Sequence, residues 1–187
     1  MDVAASLIVP GLGGSGPEHW QTWWQTQVPD AVRVEQADWH TPDLERWARR
    51  VGAALEQTGE PAWLVAHSFG CLAAVHAALA RPGRVAGAFL VAPADPARFG
   101  LDTVLPATAL PFPALLIASE DDPWMSLPRA HEWAGRWGCA CFSLGRAGHI
   151  NVEAGYGPWP AGLGLFASLQ AADTHQHRPA QHRIAQI

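Results

Sequence analysis

The stretch Trp63-Leu64-Val65-Ala66-His67-Ser68-Phe69-Gly70-Cys71-Leu72-Ala73-Ala74 decides how this chain folds. Trp63 to Ala66 is an apolar run that reads as a buried strand, and Phe69 to Ala80 reads as a helix of mostly small side chains. Ser68 stands at the corner between them. Ala66 and Gly70 flank it with little bulk, so strand and helix can pack tightly where a large side chain would collide. The structural alternative is an ordinary junction in which Ser68 caps the helix.

Outward from this turn, short apolar runs alternate with longer helical patterns, the sign of a parallel sheet wound with helices. Strands are expected over Ala5 to Val9, Val32 to Ala37, Trp63 to Ala66, Val85 to Val91, Ala114 to Ala118 and Cys141 to Leu144. They are apolar nearly throughout, as parallel strands covered on both faces are. Helices are expected over Glu18 to Gln27, Pro42 to Thr58, Phe69 to Ala80, Leu127 to Trp137 and Pro160 to Ala171. The second should start with Thr41 as N-cap and Pro42 in its first turn, and bury the stripe Leu44, Trp47, Val51 and Leu55. Residues 93–112 form the longest internal loop, read as a small flap over the site. The reading is one domain over residues 1–171 and a mobile polar tail over 172–187. His175, His177 and His182 in that tail lack a carboxylate or cysteine at ligand spacing, so no metal site is expected there.

A serine hydroxyl is a weak nucleophile and needs a base and an orienting acid. His149 is the candidate base, in the loop Gly145-Arg146-Ala147-Gly148-His149-Ile150-Asn151 just past the last strand. His67 and His76 read as packing residues, with His67 pointing away from the nucleophile's side of the turn. Carboxylates cluster after the fifth strand in Ser119-Glu120-Asp121-Asp122-Pro123-Trp124, and Asp95 follows the strand before it. One of Glu120, Asp121, Asp122 and Asp95 can hold the histidine's tautomer. Two backbone N–H groups must then meet the oxyanion. Phe69, next after the serine, is one candidate, and Leu12 in the glycine-rich loop Val9-Pro10-Gly11-Leu12-Gly13-Gly14-Ser15-Gly16 is the other. That loop fits the dinucleotide pattern Gly-x-Gly-x-x-Gly poorly. Gly11, His19, Trp20, Trp124 and Trp159 are candidates for the pocket wall, with Trp23 nearby.

Composition removes competing chemistries. The 187 residues contain 12 basic side chains, all Arg, so no lysine is present for a Schiff base, a P-loop or a kinase-type nucleotide site. A net charge of −5 with scattered arginines offers nucleic acid no basic stripe. Three cysteines, Cys71, Cys139 and Cys141, suggest no disulfide framework and favour a reducing compartment, the cytoplasm. Neither a signal peptide nor a membrane span is expected.

Taken together, Val-Pro-Gly-Leu-Gly-Gly-Ser-Gly-Pro-Glu-His-Trp at residues 9–20, Ala-His-Ser-Phe-Gly at 66–70, Ser-Glu-Asp-Asp-Pro at 119–123 and Gly-His-Ile-Asn at 148–151 carry a resemblance. The chain resembles the small serine hydrolases of the retinoblastoma-binding protein 9 and YdeN type, within the α/β-hydrolase superfamily. The elbow of that superfamily reads Gly-x-Ser-x-Gly, and Ala66 replaces its first glycine. The resemblance implies a three-layer fold with a mostly parallel sheet of about six strands, helices on both faces and no large cap domain. It implies Ser68, Asp122 and His149 as the triad, because the Asp-Pro-Trp-Met run resembles the acid loop of many hydrolases. It implies cleavage of small acyl esters without cofactor or metal, and the alternatives are amide hydrolysis or a protein-binding module with little activity. Dehalogenase chemistry would want an aspartate where Ser68 stands.

Overall fold

The computed structural model describes residues 4–176 of the chain. Strands β1 (Ser6–Val9), β2 (Ala31–Arg33), β3 (Ala62–His67), β4 (Val85–Val91), β5 (Ala114–Ala118) and β6 (Ala140–Ser143) form one sheet in the order β2-β1-β3-β4-β5-β6. Every pairing is parallel. Helices α1 (Trp20–Gln27), α2 (Leu44–Gln57), α3 (Phe69–Ala80), α4 (Leu127–Trp137) and α5 (Pro160–Gln176) cover it.

Successive strand residues point to opposite faces, and the core divides accordingly. Leu7, Val9, Leu64, Ala66, Leu90 and Leu116 pack with α2, α3 and α4. Ile8, Trp63, Val65, Phe89 and Ile117 pack with Trp20 and Trp24 of α1 and Phe166 of α5. The expected three-layer architecture is therefore present. The strand order adds what periodicity cannot: the chain leaves β1 toward β2, then returns to the other side of β1 as β3 and continues outward. This reversal opens a crevice at the carboxyl ends of β1 and β3, the place where open α/β sheets bind ligands. Ser68 follows β3 and the glycine loop follows β1, so both border that crevice.

Several local expectations change. α2 starts at Leu44 with Asp43 as its N-cap, not Thr41: the Asp43 carboxylate accepts from the Arg46 N–H at 2.9 Å, which leaves Pro42 outside the helix. The buried stripe is as expected, with Leu44, Trp47, Val51 and Leu55 all at most 4% exposed. β2 is only Ala31–Arg33, because the chain turns away from the β1 edge beyond the Val34 N–H, which still bonds to the Ile8 carbonyl at 2.9 Å. α5 continues to Gln176, so the first five residues of the expected tail extend a helix. The remainder, 177–187, with His177 and His182, lies outside the described residues. Residues 93–112 do not cover the site. They carry a short 3-10 turn, Pro96–Phe99, whose Phe99 packs against Phe69 at 5.0 Å and stacks on Trp124 at 6.4 Å, behind the site's wall.

Gly70 shows how closely α3 crosses β1. A Cβ there would lie 2.4 Å from the Pro10 carbonyl oxygen and 2.5 Å from that of Val9, and both are backbone atoms that cannot swing aside. Gly70→Ala is expected to destabilise the protein by about 3 kcal/mol or more, read as a lower midpoint in urea unfolding.

Candidate active site

The turn after β3 holds Ser68 at φ 55° and ψ −128°, a left-handed conformation that an L-residue seldom adopts. Close packing keeps it there. The Ser68 N–H donates to the Val91 carbonyl at 3.1 Å, and the Cys71 N–H donates to the Ser68 carbonyl at 3.0 Å. On the other side Gly11 presses against the serine, since a Cβ at Gly11 would sit 2.6 Å from Ser68 Cβ. Ser68 makes no cap hydrogen bond to α3, so its hydroxyl is free for other work and the simple capping alternative falls away.

That hydroxyl meets His149. Ser68 Oγ lies 2.9 Å from His149 Nε2, and His149 Nδ1 lies 2.9 and 3.0 Å from the two carboxylate oxygens of Asp122. An ionised carboxylate only accepts, so the ring proton sits on Nδ1 and the bare Nε2 accepts from the serine. The Asp122 side chain is 2% exposed and also accepts the Trp124 N–H at 2.8 Å, which fixes its rotamer. The other carboxylates are occupied elsewhere. Asp95 caps the Pro96–Phe99 turn and pairs with Arg129 at 3.2 Å. Asp121 accepts the Gly148 N–H at 2.8 Å and the Ser119 hydroxyl at 2.9 Å. These bonds, Gly148 first, hold the Asp121 carboxyl below the usual carboxylate range. Glu120 is exposed, and its backbone N–H donates to the Gly145 carbonyl at 2.8 Å.

Residues outside this relay keep His149 in place. Ser119 Oγ accepts the Ala147 N–H at 2.9 Å while Asp121 takes Gly148, so the β5 loop grips the loop carrying His149. Trp20 Nε1 donates to the Ile150 carbonyl at 2.9 Å, and Ile150 is itself left-handed at φ 49°. His67 Nε2 donates to the His149 carbonyl at 2.9 Å, which requires the proton on Nε2. Burial lowers the His67 pKa well below the imidazole range, with the neighbouring His149 and His19 adding to it, so the ring is neutral.

The glycine loop is equally fixed. Arg33 reaches from β2 to the Gly14 and Ser15 carbonyls at 2.6 and 3.2 Å and to the Thr22 hydroxyl at 2.7 Å. The Gly13 N–H donates to the Trp39 carbonyl at 3.0 Å. Buried Gln21 bridges the Val9 and Val65 carbonyls at 3.2 and 3.1 Å and accepts the Ser15 hydroxyl at 2.7 Å, tying β1, β3 and the loop together. Among the described residues none accepts from the N–H of Leu12 or Phe69. Phe69 opens α3, where no helical carbonyl can reach its N–H.

A cavity of about 290 Å³ opens over Ser68 and His149, walled by Leu12, His19, His67, Trp124 and Glu153. His19 and Trp124 therefore stand where expected. Trp20 and Trp159 do not: they are 0% and 6% exposed and cluster with Trp24, Trp20 edge-on and Trp159 stacked, because two indoles gain more from that core than from a wet wall. Gly11 supports Ser68 from behind, and Trp23 faces a separate groove. His67 is a correction in the other direction. It turns toward the site, its ring 4.9 Å from that of His149. The supporting roles of Ser119, Asp121, Gln21 and Arg33 leave no sequence signal beyond their place in the site loops. Among the described residues no cluster of histidine, cysteine or carboxylate side chains could hold a metal, and no helix is long and apolar enough to cross a membrane.

An open parallel α/β sheet with a serine on a strained strand-to-helix turn and a histidine in a later loop defines the α/β-hydrolase class. The chain belongs to the serine hydrolase family, whose model matches residues 6–168. A YdeN-like hydrolase from Pectobacterium atrosepticum is 41% identical, with 91% of this chain and 92% of that one covered and a TM-score of 0.87. The ydeN gene product of Bacillus subtilis superposes with a TM-score of 0.75 at 20% identity, over 90% of this chain and all of that one. Est1E of Butyrivibrio proteoclasticus, solved with ferulic acid, shares the fold at a TM-score of 0.69 and 12% identity, over 93% of this chain and 89% of that one. Comparison with curated proteins gives no match. The protein is a serine hydrolase enzyme of the YdeN type.

Proposed function

We propose that the chain hydrolyses small carboxylic esters through an acyl-enzyme on Ser68. Ser68 Oγ attacks the carbonyl carbon while its proton passes to His149 Nε2, and Asp122 stabilises the resulting imidazolium through Nδ1–H. The N–H groups of Leu12 and Phe69 bind the oxyanion, each worth roughly 3 kcal/mol of barrier in comparable sites. The carbon–oxygen bond to the alcohol then breaks and the alcohol leaves with the proton held by His149. Water then attacks the acyl carbon as His149 takes one of its protons, and that proton passes to Ser68 Oγ as the ester bond to Ser68 breaks and the acid is released. The observation that carries this reading is the unbroken chain from Ser68 to His149 to Asp122, with contacts of 2.9, 2.9 and 3.0 Å.

The cavity of about 290 Å³ and the Glu153 carboxylate in its lining favour small, uncharged acyl groups. The single-domain reading of the sequence accords with this open site. The free thiols of Cys71, Cys139 and Cys141 accord with a reducing compartment, and we assign the cytoplasm. A series of p-nitrophenyl esters from acetate to dodecanoate, with matched p-nitroanilides, tests the substrate class. Acetate and butyrate are expected to give kcat/KM at least about tenfold above dodecanoate and above every anilide. Faster turnover of an anilide, or of the longest ester, would overturn the assignment.

A further inference from the structure

His19 takes no part in the relay, yet it is only 5% exposed and what it exposes lies in the site cavity. Its ring is wedged between Trp20 and His67, with centroids 5.5 and 4.9 Å away. The Gln21 N–H donates to His19 Nδ1 at 3.1 Å, so that nitrogen is an acceptor and carries no hydrogen. Protonating the ring would set two donors against each other. Desolvation first, then the charge of Arg33 and the neighbouring His149, push the His19 pKa down to about 4. At neutral pH the ring is thus a single tautomer with its hydrogen on Nε2. Among the described residues no group accepts from that nitrogen, and it is not among the polar atoms sealed in the core.

We propose that His19 is a catalytic hydrogen-bond donor whose Nε2–H binds an oxygen of the ester held at Ser68. A neutral imidazole suits this place. It donates one hydrogen bond in a direction set by Gln21, and it adds no positive charge that would oppose formation of the His149 imidazolium. The site is not a metal centre, since His67 Nε2 is bound to the His149 carbonyl and His19 Nδ1 to the Gln21 N–H. The assignment rests on the acyl-enzyme reading above and adds a third donor, from a side chain, to the two backbone amides.

His19 is also the N-cap of α1, so the test must separate capping from donation. His19→Asn keeps a good cap, with the amide oxygen in place of Nδ1, but its side chain is too short to reach the position of Nε2. His19→Gln does the reverse: a poor cap, with an amide nitrogen that reaches about as far as Nε2. Steady-state hydrolysis of p-nitrophenyl acetate and thermal unfolding are measured for both, beside wild type and Ser68→Ala. His19→Asn is expected to unfold near the wild-type temperature and lose roughly tenfold to hundredfold in kcat/KM. His19→Gln is expected to unfold earlier and stay within about threefold of wild type. If His19→Asn keeps wild-type kcat/KM, or if activity simply follows unfolding temperature in the two variants, the donor role is wrong. Equal turnover by wild type and Ser68→Ala would instead overturn the acyl-enzyme reading on which it rests.

Discussion

Ser68→Ala is expected to lower kcat for p-nitrophenyl acetate by roughly four to six orders of magnitude, with unfolding temperature close to that of wild type. The size follows from the geometry. The hydroxyl is the one group that Gly11, the turn and His149 together present to the cavity, and no other side chain can attack from its position. The fold should tolerate the change because alanine keeps the Cβ that packs on Gly11, while the backbone bonds to Val91 and from Cys71 do not involve the side chain. What survives would come from the backbone amides and from binding alone. A variant that kept a tenth of wild-type activity would show that the ester is cleaved elsewhere.

Asp122→Asn comes next in size, an expected loss of about 10⁴-fold in kcat at neutral pH. An asparagine amide can turn its NH₂ toward His149 Nδ1, which moves the ring proton to Nε2, where it faces the Ser68 hydroxyl and can no longer take its proton. Asp121→Asn serves as the comparison. Asp121 grips the Gly148 N–H and the Ser119 hydroxyl and touches neither Ser68 nor the His149 ring, so a loss of about tenfold is expected from a loosened loop. Steady-state kinetics of the two variants, matched for folded fraction, decide between neighbouring carboxylates. The reverse order of losses would make Asp121 the acid.

Much of this site is legible in the sequence because its chemistry is local. Ser68 with Ala66 and Gly70, and His149 in a loop beyond the last strand, announce themselves by residue type and by place relative to apolar runs. Asp122 is harder, because three adjacent carboxylates differ only in which direction the loop turns each of them. That direction is set by contacts across the fold, from Gly148 to Asp121 and from His149 to Asp122. Strand order is invisible for a similar reason: nothing in an apolar run says on which side of β1 it will pair. Trp20 and Trp159 mislead because loop position suggests a wet wall, whereas the cluster they form with Trp24 exists only once α1 and α5 lie on the same face. His67 misleads in the opposite sense. As the last residue of β3 it shares the face of Trp63 and Val65, and there its imidazole supports the His149 loop.

Covalent trapping asks whether Ser68 is an activated nucleophile. Folded protein is incubated with a fluorophosphonate, its intact mass is measured, and the modified peptide is sequenced. If Ser68 is the nucleophile, a single adduct is expected on its hydroxyl, formed at neutral pH and absent both from Ser68→Ala and from protein unfolded in urea. No adduct on the folded wild-type protein, or an adduct on any other residue, would contradict it.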